Sequence, residues 1–278
     1  MLDVNRIALN RIVYPGVGME EFFAVTAELG LGKVELRNDL PGGRIIDGLT
    51  PDQVGKLAAK HRVQILTINA LQKFNLPSNL AKATQELKGL IELARSIGCH
   101  AIVLCPNNDT ADARTPVQSL RDTTAALKAF RPQFESSGVL GYVEPLGFPE
   151  SSLRSVLSAS QAIREAGGSC YRMVFDTFHH YLGPDTAEDV EQKLDVSLVG
   201  LVHASGVEAE LDKGAMKDGH RVLVTNGDRM GNVAQIARLV ARGYAGDVSL
   251  EPFSSEVQKL DRKAFLEAAR ETIGILTR

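Results

Sequence analysis

One stretch of the chain indicates the fold, Ser96-Ile-Gly-Cys-His-Ala-Ile-Val-Leu104. An amphipathic segment ends at Gly98, and an apolar run follows almost at once. Glycine ends helices readily because it adopts the left-handed conformation that other residues resist. The same order of helix, glycine and apolar run recurs at 28–36, 166–175 and 242–251. Repetition of this order indicates parallel strands joined by helical crossovers.

The apolar runs predict strands at roughly 6–10, 33–37, 63–69, 100–105, 139–144, 171–176, 198–203 and 247–251. Most of them are continuous apolar runs, which is typical of strands covered on both faces. We predict helices near 18–29, 50–61, 79–97, 116–136, 152–166, 186–194, 232–242 and 261–277. The motif Thr50-Pro-Asp-Gln53 predicts a helix start, with a capping threonine and proline in the first turn.

Eight such units predict an α/β fold, the (β/α)8 TIM barrel, as a single domain over residues 1–278. A doubly wound sheet is the alternative, but no Gly-x-Gly-x-x-Gly motif follows the first strand. The longest predicted loop runs from Ala204 to about Gly231 and is rich in charge and glycine. Loops of this length inside compact domains are usually functional or mobile.

Composition excludes several classes of function. The net charge is −3, whereas a nucleic-acid surface usually needs a basic excess, so we expect no nucleic-acid partner. Cys99, Cys105 and Cys170 are odd in number and show no CxxC spacing, which indicates reduced thiols in a cytoplasmic protein. We find no signal peptide and no apolar run long enough to span a bilayer, so we expect no membrane partner.

Four residues of metal-ligand type stand where predicted strands end: Glu144, Asp176, His203 and Glu251. Each follows a short apolar run and would end one of strands five to eight. One acidic residue at a strand end is more often a helix cap or an ion-pair partner. Four on neighbouring strands are hard to explain that way, because buried charges need partners and a divalent cation would satisfy them all.

The type of ligand predicts the type of metal. Three carboxylates and one imidazole, without a thiolate, favour one divalent ion such as Mn²⁺, Mg²⁺, Co²⁺ or Zn²⁺. A bound cation polarises a carbonyl and stabilises the enolate that forms when an adjacent C–H loses its proton. Isomerisation of an α-hydroxy ketone needs this effect, together with an acid and a base within reach.

The chain resembles the xylose-isomerase-like TIM barrels, and among them the inosose isomerases. The resemblance covers nearly the whole chain and is carried by these stretches: Ile7–Asn10, Val34–Arg37, Ile68–Asn75, Glu144–Gly147, Phe175–His179, His203 and Leu250–Phe253. It implies that the four strand-end residues bind the metal and that Glu144 and Glu251 move protons at the reacting carbons. It also implies that His179 contacts the substrate or shuttles a proton. Phe148 is a departure, because an inosose isomerase has a His at this position, and this departure bears on the substrate more than on the metal.

Two predicted site residues lie outside the strands. The resemblance implies that Arg221, in the long loop, reaches substrate oxygens with its fork of donors. Its alternative is a solvated loop cation. The alternative for His179 is a structural histidine packed against Phe178.

Four further residues complete the predicted substrate site. Glu35 is expected to hydrogen-bond the substrate or to orient a metal ligand, and its alternative is a structural ion pair with a neighbouring basic residue. Asn10 and Asn69, at the ends of strands one and three, are expected to line the pocket. Phe74 is expected to form an apolar wall there, with core packing as the alternative.

The leading hypothesis is a metal-dependent isomerase or epimerase acting on a small keto-cyclitol or keto-sugar. A metal-dependent dehydratase of the inosose or dehydroshikimate type is the alternative, because it begins with the same proton abstraction. A non-catalytic sugar-binding barrel is a further alternative, although both proton-transfer glutamates are present. An endonuclease IV-type enzyme is disfavoured, because it needs more strand-end histidines and the chain is acidic. The sequence leaves open whether the protein forms a homo-oligomer.

Overall fold

Eight parallel strands close into a barrel in the computed structural model, which describes residues 2–40 and 42–278. The strands pair in chain order, and the first pairs with the last. They are β1 (Ile7–Asn10), β2 (Lys33–Arg37), β3 (Gln64–Leu71), β4 (Ala101–Leu104), β5 (Leu140–Val143), β6 (Tyr171–Asp176), β7 (Val199–Ala204) and β8 (Asp247–Leu250). The predicted single-domain (β/α)8 barrel is therefore confirmed.

Helices follow the strands and pack outside the barrel. They are α1 (Met19–Glu28), α2 (Pro51–His61), α3 (Leu80–Ser96), α4 (Pro116–Ser137), α5 (Val156–Ala166), α6 (Thr177–Leu182), α7 (Ala187–Lys193), α8 (Asn232–Ala241), α9 (Ser255–Gln258) and α10 (Arg262–Leu276). None of the helices in the described ranges is long and apolar enough to cross a membrane.

Local sequence signals explain where helices begin. Thr50 caps α2 and forms the predicted capping box with Gln53. The predicted start of α5 at 152 is wrong, since the helix begins at Val156. Ser155 caps that helix by accepting a hydrogen bond from the Ser158 amide, and a serine at this position is a strong start signal.

Several strand ends differ slightly from the prediction. The third strand continues to Leu71, two residues beyond its predicted end. The fifth and eighth strands stop one residue before Glu144 and Glu251, so both glutamates begin the loops that follow. Helices α6 and α9 were not predicted, because each is only a short turn of helix after a strand.

Apolar side chains fill both sides of the barrel wall. Most of the buried apolar residues form one large cluster that includes residues of both the strands and the surrounding helices. A smaller cluster joins side chains of β3, β4, β6 and β7, strands that come from different sides of the barrel: Ala70, Val103, Cys105, Val174 and Leu201. It fills the barrel interior below the strand ends. The three cysteines are free and buried, as the reduced thiols predicted for them would be.

Candidate metal centre

The structure brings together the four residues of metal-ligand type at the carboxyl end of the barrel. Glu144, Asp176, His203 and Glu251 each offer one ligand atom, and these atoms all lie within 4.8 Å of one another. All four side chains are buried. The grouping expected from the strand ends is therefore present, while metal binding itself stays a prediction.

Strand register explains why the four meet. Asp176 and His203 are direct partners in the β6–β7 pairing. The backbone amide of Glu251 donates to the carbonyl of Ala204 at the end of β7. The amide of Glu144 donates in the same way to Leu104 at the end of β4. Parallel strands that end at the same height present successive side chains to one mouth.

His203 lies at the centre of the cluster. Its Nδ1 is 2.8 Å from Glu144 Oε1 and 3.1 Å from Glu251 Oε2. The nearest oxygen of Asp176 is 3.9 Å away. The Nδ1 edge of the imidazole ring therefore points towards all three carboxylates.

Asp176 has two roles at once. Its Oδ1 accepts hydrogen bonds from the amides of Phe178 and His179, which caps helix α6. Its Oδ2 faces the cluster and accepts a hydrogen bond from Arg221. The capping role considered as an alternative is therefore real, but it uses only one oxygen and leaves the other for the centre.

The two glutamates have different surroundings. Glu251 Oε1 accepts from Asn10 at 3.1 Å and from Arg37 at 2.6 Å, and its Oε2 accepts from Arg221 at 2.9 Å. Glu144 contacts no guanidinium within the described residues. Its Oε2 accepts only a long contact, at 3.5 Å, from the Cys105 thiol. Glu251 is therefore held by fixed positive charge, whereas Glu144 is held by His203.

The donor set and the charge balance fit a divalent cation. Four buried carboxylates surround the centre, counting Glu35, and they face two buried guanidinium groups, those of Arg37 and Arg221. When His203 is neutral, two negative charges are left without a partner. Uncompensated buried charge is costly, and one divalent ion would remove this deficit.

The pKa values of the cluster reflect the same balance. Burial alone would lower the pKa of His203, but Glu251, Glu35 and Glu144 hold that pKa well above its ordinary value of 6.5. Burial raises the pKa of Glu251, but the charges of His203 and Arg221 outweigh burial and keep that pKa well below its ordinary value. Without a metal, the centre of the cluster is thus a protonated imidazole beside the ionised carboxylates of Glu35 and Glu251.

Arg221 is part of the centre. The alternative of a solvated loop cation is wrong, because its side chain is only 1% exposed and contacts two of the four cluster residues. Its Nε donates to the Ser205 hydroxyl at 2.9 Å, and Nη1 lies 3.3 Å from Asp218. The long loop after β7 therefore folds back over the barrel mouth.

Glu35, Asn10 and Asn69 also lie beside the cluster. Glu35 is in the middle of β2 and not at its end, and it is fully buried. The alternative pairing of Glu35 with a basic neighbour is wrong. Arg37 instead pairs with Glu251 and Asp39, and Lys33 pairs with Asp247.

His179 and Phe74 have apolar surroundings. The His179 ring lies 5.3 Å from that of Phe178 and 5.1 Å from that of Phe148, and its Nδ1 is buried without a hydrogen-bond partner. The packing against Phe178 is therefore real, and a polar nitrogen remains free beside the site. Phe74 is fully buried in the main apolar cluster, so its substrate contact stays a prediction.

Two residues of the centre were missed by the sequence analysis. Arg37 is the last residue of β2 and was considered only as a basic neighbour of Glu35, yet its guanidinium donates to Glu251. Cys105 was predicted only to be a reduced thiol, yet that thiol lies next to Glu144. Arg37 ends β2 and Cys105 directly follows β4, at the same mouth as the acidic residues, and that shared position was the available signal.

A cavity of about 670 Å³ lies near this mouth, between the loops after β4 and β5. Arg114, Glu150 and Arg154 are among its lining residues, but none of the four cluster residues lines it. Buried polar clusters with shifted pKa values are typical of active sites. We therefore assign chemistry to the cluster and not to this cavity.

Fold and cluster together define the class of protein. A family model described as the xylose isomerase-like TIM barrel matches residues 23–276. The chain belongs to this family, as its resemblance predicted.

Three known proteins illustrate what this chain is similar to within the family and the fold. An inosose isomerase of Halalkalibacterium halodurans is 24% identical over 229 residues, which cover 80% of this chain and 78% of that protein. A xylose isomerase domain containing protein from Salmonella typhimurium has a solved structure with a TM-score of 0.93 and 36% identity, covering 100% of this chain and 99% of the other. The structure of IolI with a bound zinc atom has a TM-score of 0.90 at 19% identity, covers 98% of each chain and is similar in fold.

Proposed function

We propose that this protein is a divalent-metal-dependent sugar isomerase or epimerase. It would move a proton at the carbon next to a carbonyl, on a keto-cyclitol or a keto-sugar. The observation that carries the proposal is the buried set Glu144, Asp176, His203 and Glu251, with its ligand atoms within 4.8 Å of one another. A set of this composition suits one hard or borderline divalent ion.

The four residues would hold the ion through one oxygen of each carboxylate and Nδ1 of His203. When bound, the ion would polarise the substrate carbonyl and make the adjacent C–H more acidic. The relative with a bound zinc atom supports metal binding in this fold. The charge deficit described above supports it independently.

Glu144 and Glu251 would move the proton. Glu251 is fixed by Asn10, Arg37 and Arg221, so its carboxylate keeps one orientation and begins the reaction in the ionised form that a base needs. Glu144 lies 2.8 Å from the same His203 nitrogen, Nδ1, and has fewer protein partners. Two carboxylates on different sides of a bound sugar could remove and return a proton on the same face or on opposite faces.

Other residues would bind and orient the substrate. Arg221 and His179 border the same mouth, and each offers nitrogen donors to substrate oxygens. Phe148 packs against the rings of Phe178 and His179 and gives this side of the site an apolar surface. The inosose isomerase relatives support a cyclitol substrate, and the apolar Phe148 makes a linear ketose the competing choice.

Proton exchange tests the proposal directly. The metal-free protein and the protein restored with Mn²⁺ would be incubated in D₂O with 2-keto-myo-inositol and, separately, with ketohexoses. We expect deuterium uptake at the carbon next to the carbonyl, seen by NMR, only with metal. Uptake followed by loss of water would identify the dehydratase instead. No uptake with any of these substrates would contradict the proposal.

A further inference from the structure

Glu35 is a fully buried carboxylate behind the four cluster residues. It belongs to the middle of β2, so its backbone is fixed by pairing with β1 and β3 on both sides. An isolated carboxylate in such a place is very costly. Glu35 therefore has to be explained by the groups that surround it.

Protein donors occupy both oxygens of Glu35. Oε1 accepts from Asn10 at 3.1 Å. Oε2 accepts from Thr67 at 2.6 Å and from Asn69 at 2.9 Å, and it lies 3.1 Å from His203 Nε2. Because the side chain is fully buried and protein donors lie on both of its oxygens, a substrate hydroxyl would have to displace one of these partners to reach it.

The contact with His203 has a chemical consequence. A carboxylate oxygen can only accept a hydrogen bond, so it holds the ring proton on Nε2. The other nitrogen, Nδ1, is the one that faces Glu144 and Glu251. In the metal-free protein Nδ1 is protonated as well and donates to Glu144 at 2.8 Å. Once a cation displaces that proton, Glu35 would keep the proton on Nε2, and the Nδ1 lone pair would point to the other ligand atoms. Metal-ligating histidines commonly donate their second ring N–H to a carboxylate in this manner.

A second contact extends from Glu35 to another cluster residue. Asn10 Nδ2 lies 3.1 Å from Glu35 Oε1 and 3.1 Å from Glu251 Oε1. One amide group therefore spaces the two carboxylates and orients Glu251. Glu35 therefore contacts one of the four residues of the centre, His203, directly, and it is linked to a second, Glu251, through Asn10.

We propose that Glu35 is a positioning residue of the metal centre, which selects Nδ1 of His203 as the ligand atom and orients Glu251 through Asn10. The proposal rests on the proposed metal-dependent function. It assigns Glu35 to the protein's own ligand support and not to substrate binding. Thr67 and Asn69 hold the carboxylate so that its oxygen stays on the imidazole.

The first test uses the unmodified protein with Zn²⁺, which is diamagnetic. Long-range ¹H–¹⁵N spectra of ¹⁵N-histidine protein distinguish the two ring nitrogens, and the spectrum of His203→Gln identifies the signals of His203. We expect a protonated Nε2, with a downfield proton that exchanges slowly, and Zn²⁺ on Nδ1. A protonated Nδ1 with Zn²⁺ on Nε2 would overturn the proposal without any variant of Glu35.

The second test replaces the carboxylate. We expect Glu35→Gln to bind Zn²⁺ about 10- to 100-fold more weakly in a chelator competition, the range typical of such supporting groups. The downfield Nε2 proton should also move upfield or exchange faster. Asp247→Asn is the matched control, because it removes a barrel carboxylate from the opposite end of β8, and we expect its Zn²⁺ affinity to stay within about twofold of the unmodified protein.

The outcomes separate the two proposals. If the unmodified protein binds no Zn²⁺, the metal centre itself is wrong and the role of Glu35 falls with it. If the unmodified protein binds Zn²⁺ and Glu35→Gln keeps both the affinity and the proton signal, the metal centre stands and the role of Glu35 is wrong. A Glu35→Gln protein that does not fold leaves the first test decisive.

Discussion

Arg221 Nη2 donates to Asp176 Oδ2 at 2.6 Å, and this contact ties the long loop after β7 to the end of β6. The same nitrogen lies 2.9 Å from Glu251 Oε2. Two of the four cluster residues thus share one guanidinium nitrogen. The arginine neutralises the carboxylates in the absence of a metal, and it repels a cation that binds between them.

Replacement of Arg221 by methionine should have two opposite effects. We expect Arg221→Met to bind Mn²⁺ at least tenfold more tightly, because a nearby positive charge is removed at low effective dielectric. The metal-free variant should lose about 3 kcal/mol of unfolding free energy or more, since two buried carboxylates lose their partner. Calorimetric titration with Mn²⁺ measures the first effect, and urea unfolding with chelator measures the second.

Arg229→Met is the matched control in the same loop. Arg229 pairs with Glu210 at an exposed position, and such surface pairs contribute about 0–1 kcal/mol. We expect neither Mn²⁺ affinity nor metal-free stability to change measurably. Weaker Mn²⁺ binding by Arg221→Met would mean that the guanidinium supports the ion instead of opposing it.

Glutamine at either proton-transfer position should reduce turnover. We expect Glu144→Gln and Glu251→Gln each to lower turnover by about 10²-fold or more, because glutamine keeps the shape and one oxygen but cannot carry the proton. Glu251→Gln should also be the less stable of the two, since its amide NH₂ would face a guanidinium donor of Arg37 or Arg221. Turnover and urea unfolding are measured after metal content has been checked.

Glu165→Gln is a suitable control, because Glu165 lies in α5 and bonds to Thr124 and Gln161 away from the barrel mouth. Its turnover should equal that of the unmodified protein. Normal turnover in both Glu144→Gln and Glu251→Gln, with metal retained, would show that the protons travel by another route, of which His179 is the nearest candidate.

The sequence predicted the parts of the site that follow from strand ends. Asp176 and His203 each come at the end of an apolar run. Once eight strand–helix units have been counted, residues at strand ends can be assigned to the barrel mouth without a structure. The same pattern extended the fifth and eighth strands one residue too far, to Glu144 and Glu251, because each apolar run continues up to the first loop residue. Barrel and cluster were therefore predictable from local patterns, whereas the family was predicted from the resemblance of particular stretches to known proteins.

The polar network was not predictable, because it depends on which side chains meet across the barrel. Arg37 contacts Glu251, which is 214 residues away in sequence. Glu35 contacts His203 across 168 residues. A single sequence shows that these residues are polar and lie in apolar strands. Which donor hydrogen-bonds to which carboxylate can be seen only once the barrel is closed.

Gly147 should be intolerant of any side chain. It lies in the loop after β5, where an added Cβ would overlap the carbonyl oxygen of His179 and come within 2.8 Å of Leu182 Cβ. Helix α6 could not keep its position, and with it the ring of His179 would move. We expect Gly147→Ala to lose about 1–3 kcal/mol of unfolding free energy, the usual cost of overpacking, and to lower turnover. Urea unfolding and a turnover assay check the two effects.

Gly89→Ala is the opposite case and serves as its control. Gly89 lies inside α3 at an exposed position, and an added Cβ meets nothing within 4 Å. Alanine there should stabilise the protein by about 0.5–1 kcal/mol, because glycine is entropically costly in a helix. Equal stability of the two alanine variants would show that the loop after β5 can move away from α6.

Metal binding should displace a proton from His203. The carboxylates hold the pKa of His203 well above 6.5 in the metal-free protein, so at pH 7 the imidazole is protonated, whereas a metal needs a neutral nitrogen. We expect Zn²⁺ to release about one proton at pH 7 and its apparent affinity to rise about tenfold per pH unit until the pH passes that pKa. Calorimetry in two buffers of different ionisation enthalpy counts the proton.

The same raised pKa sets the direction of the stability change. A folded-state pKa above the unfolded value stabilises the metal-free protein fully below about pH 6.5, and this contribution is lost as the pH rises through the folded pKa. Metal-free protein should therefore lose more stability with rising pH than the Zn²⁺-loaded protein, in which the ion replaces the proton. His203→Gln should release no proton and should lose less stability with rising pH than the unmodified metal-free protein. Proton release by His203→Gln equal to that of the unmodified protein would assign the titrating group elsewhere in the cluster.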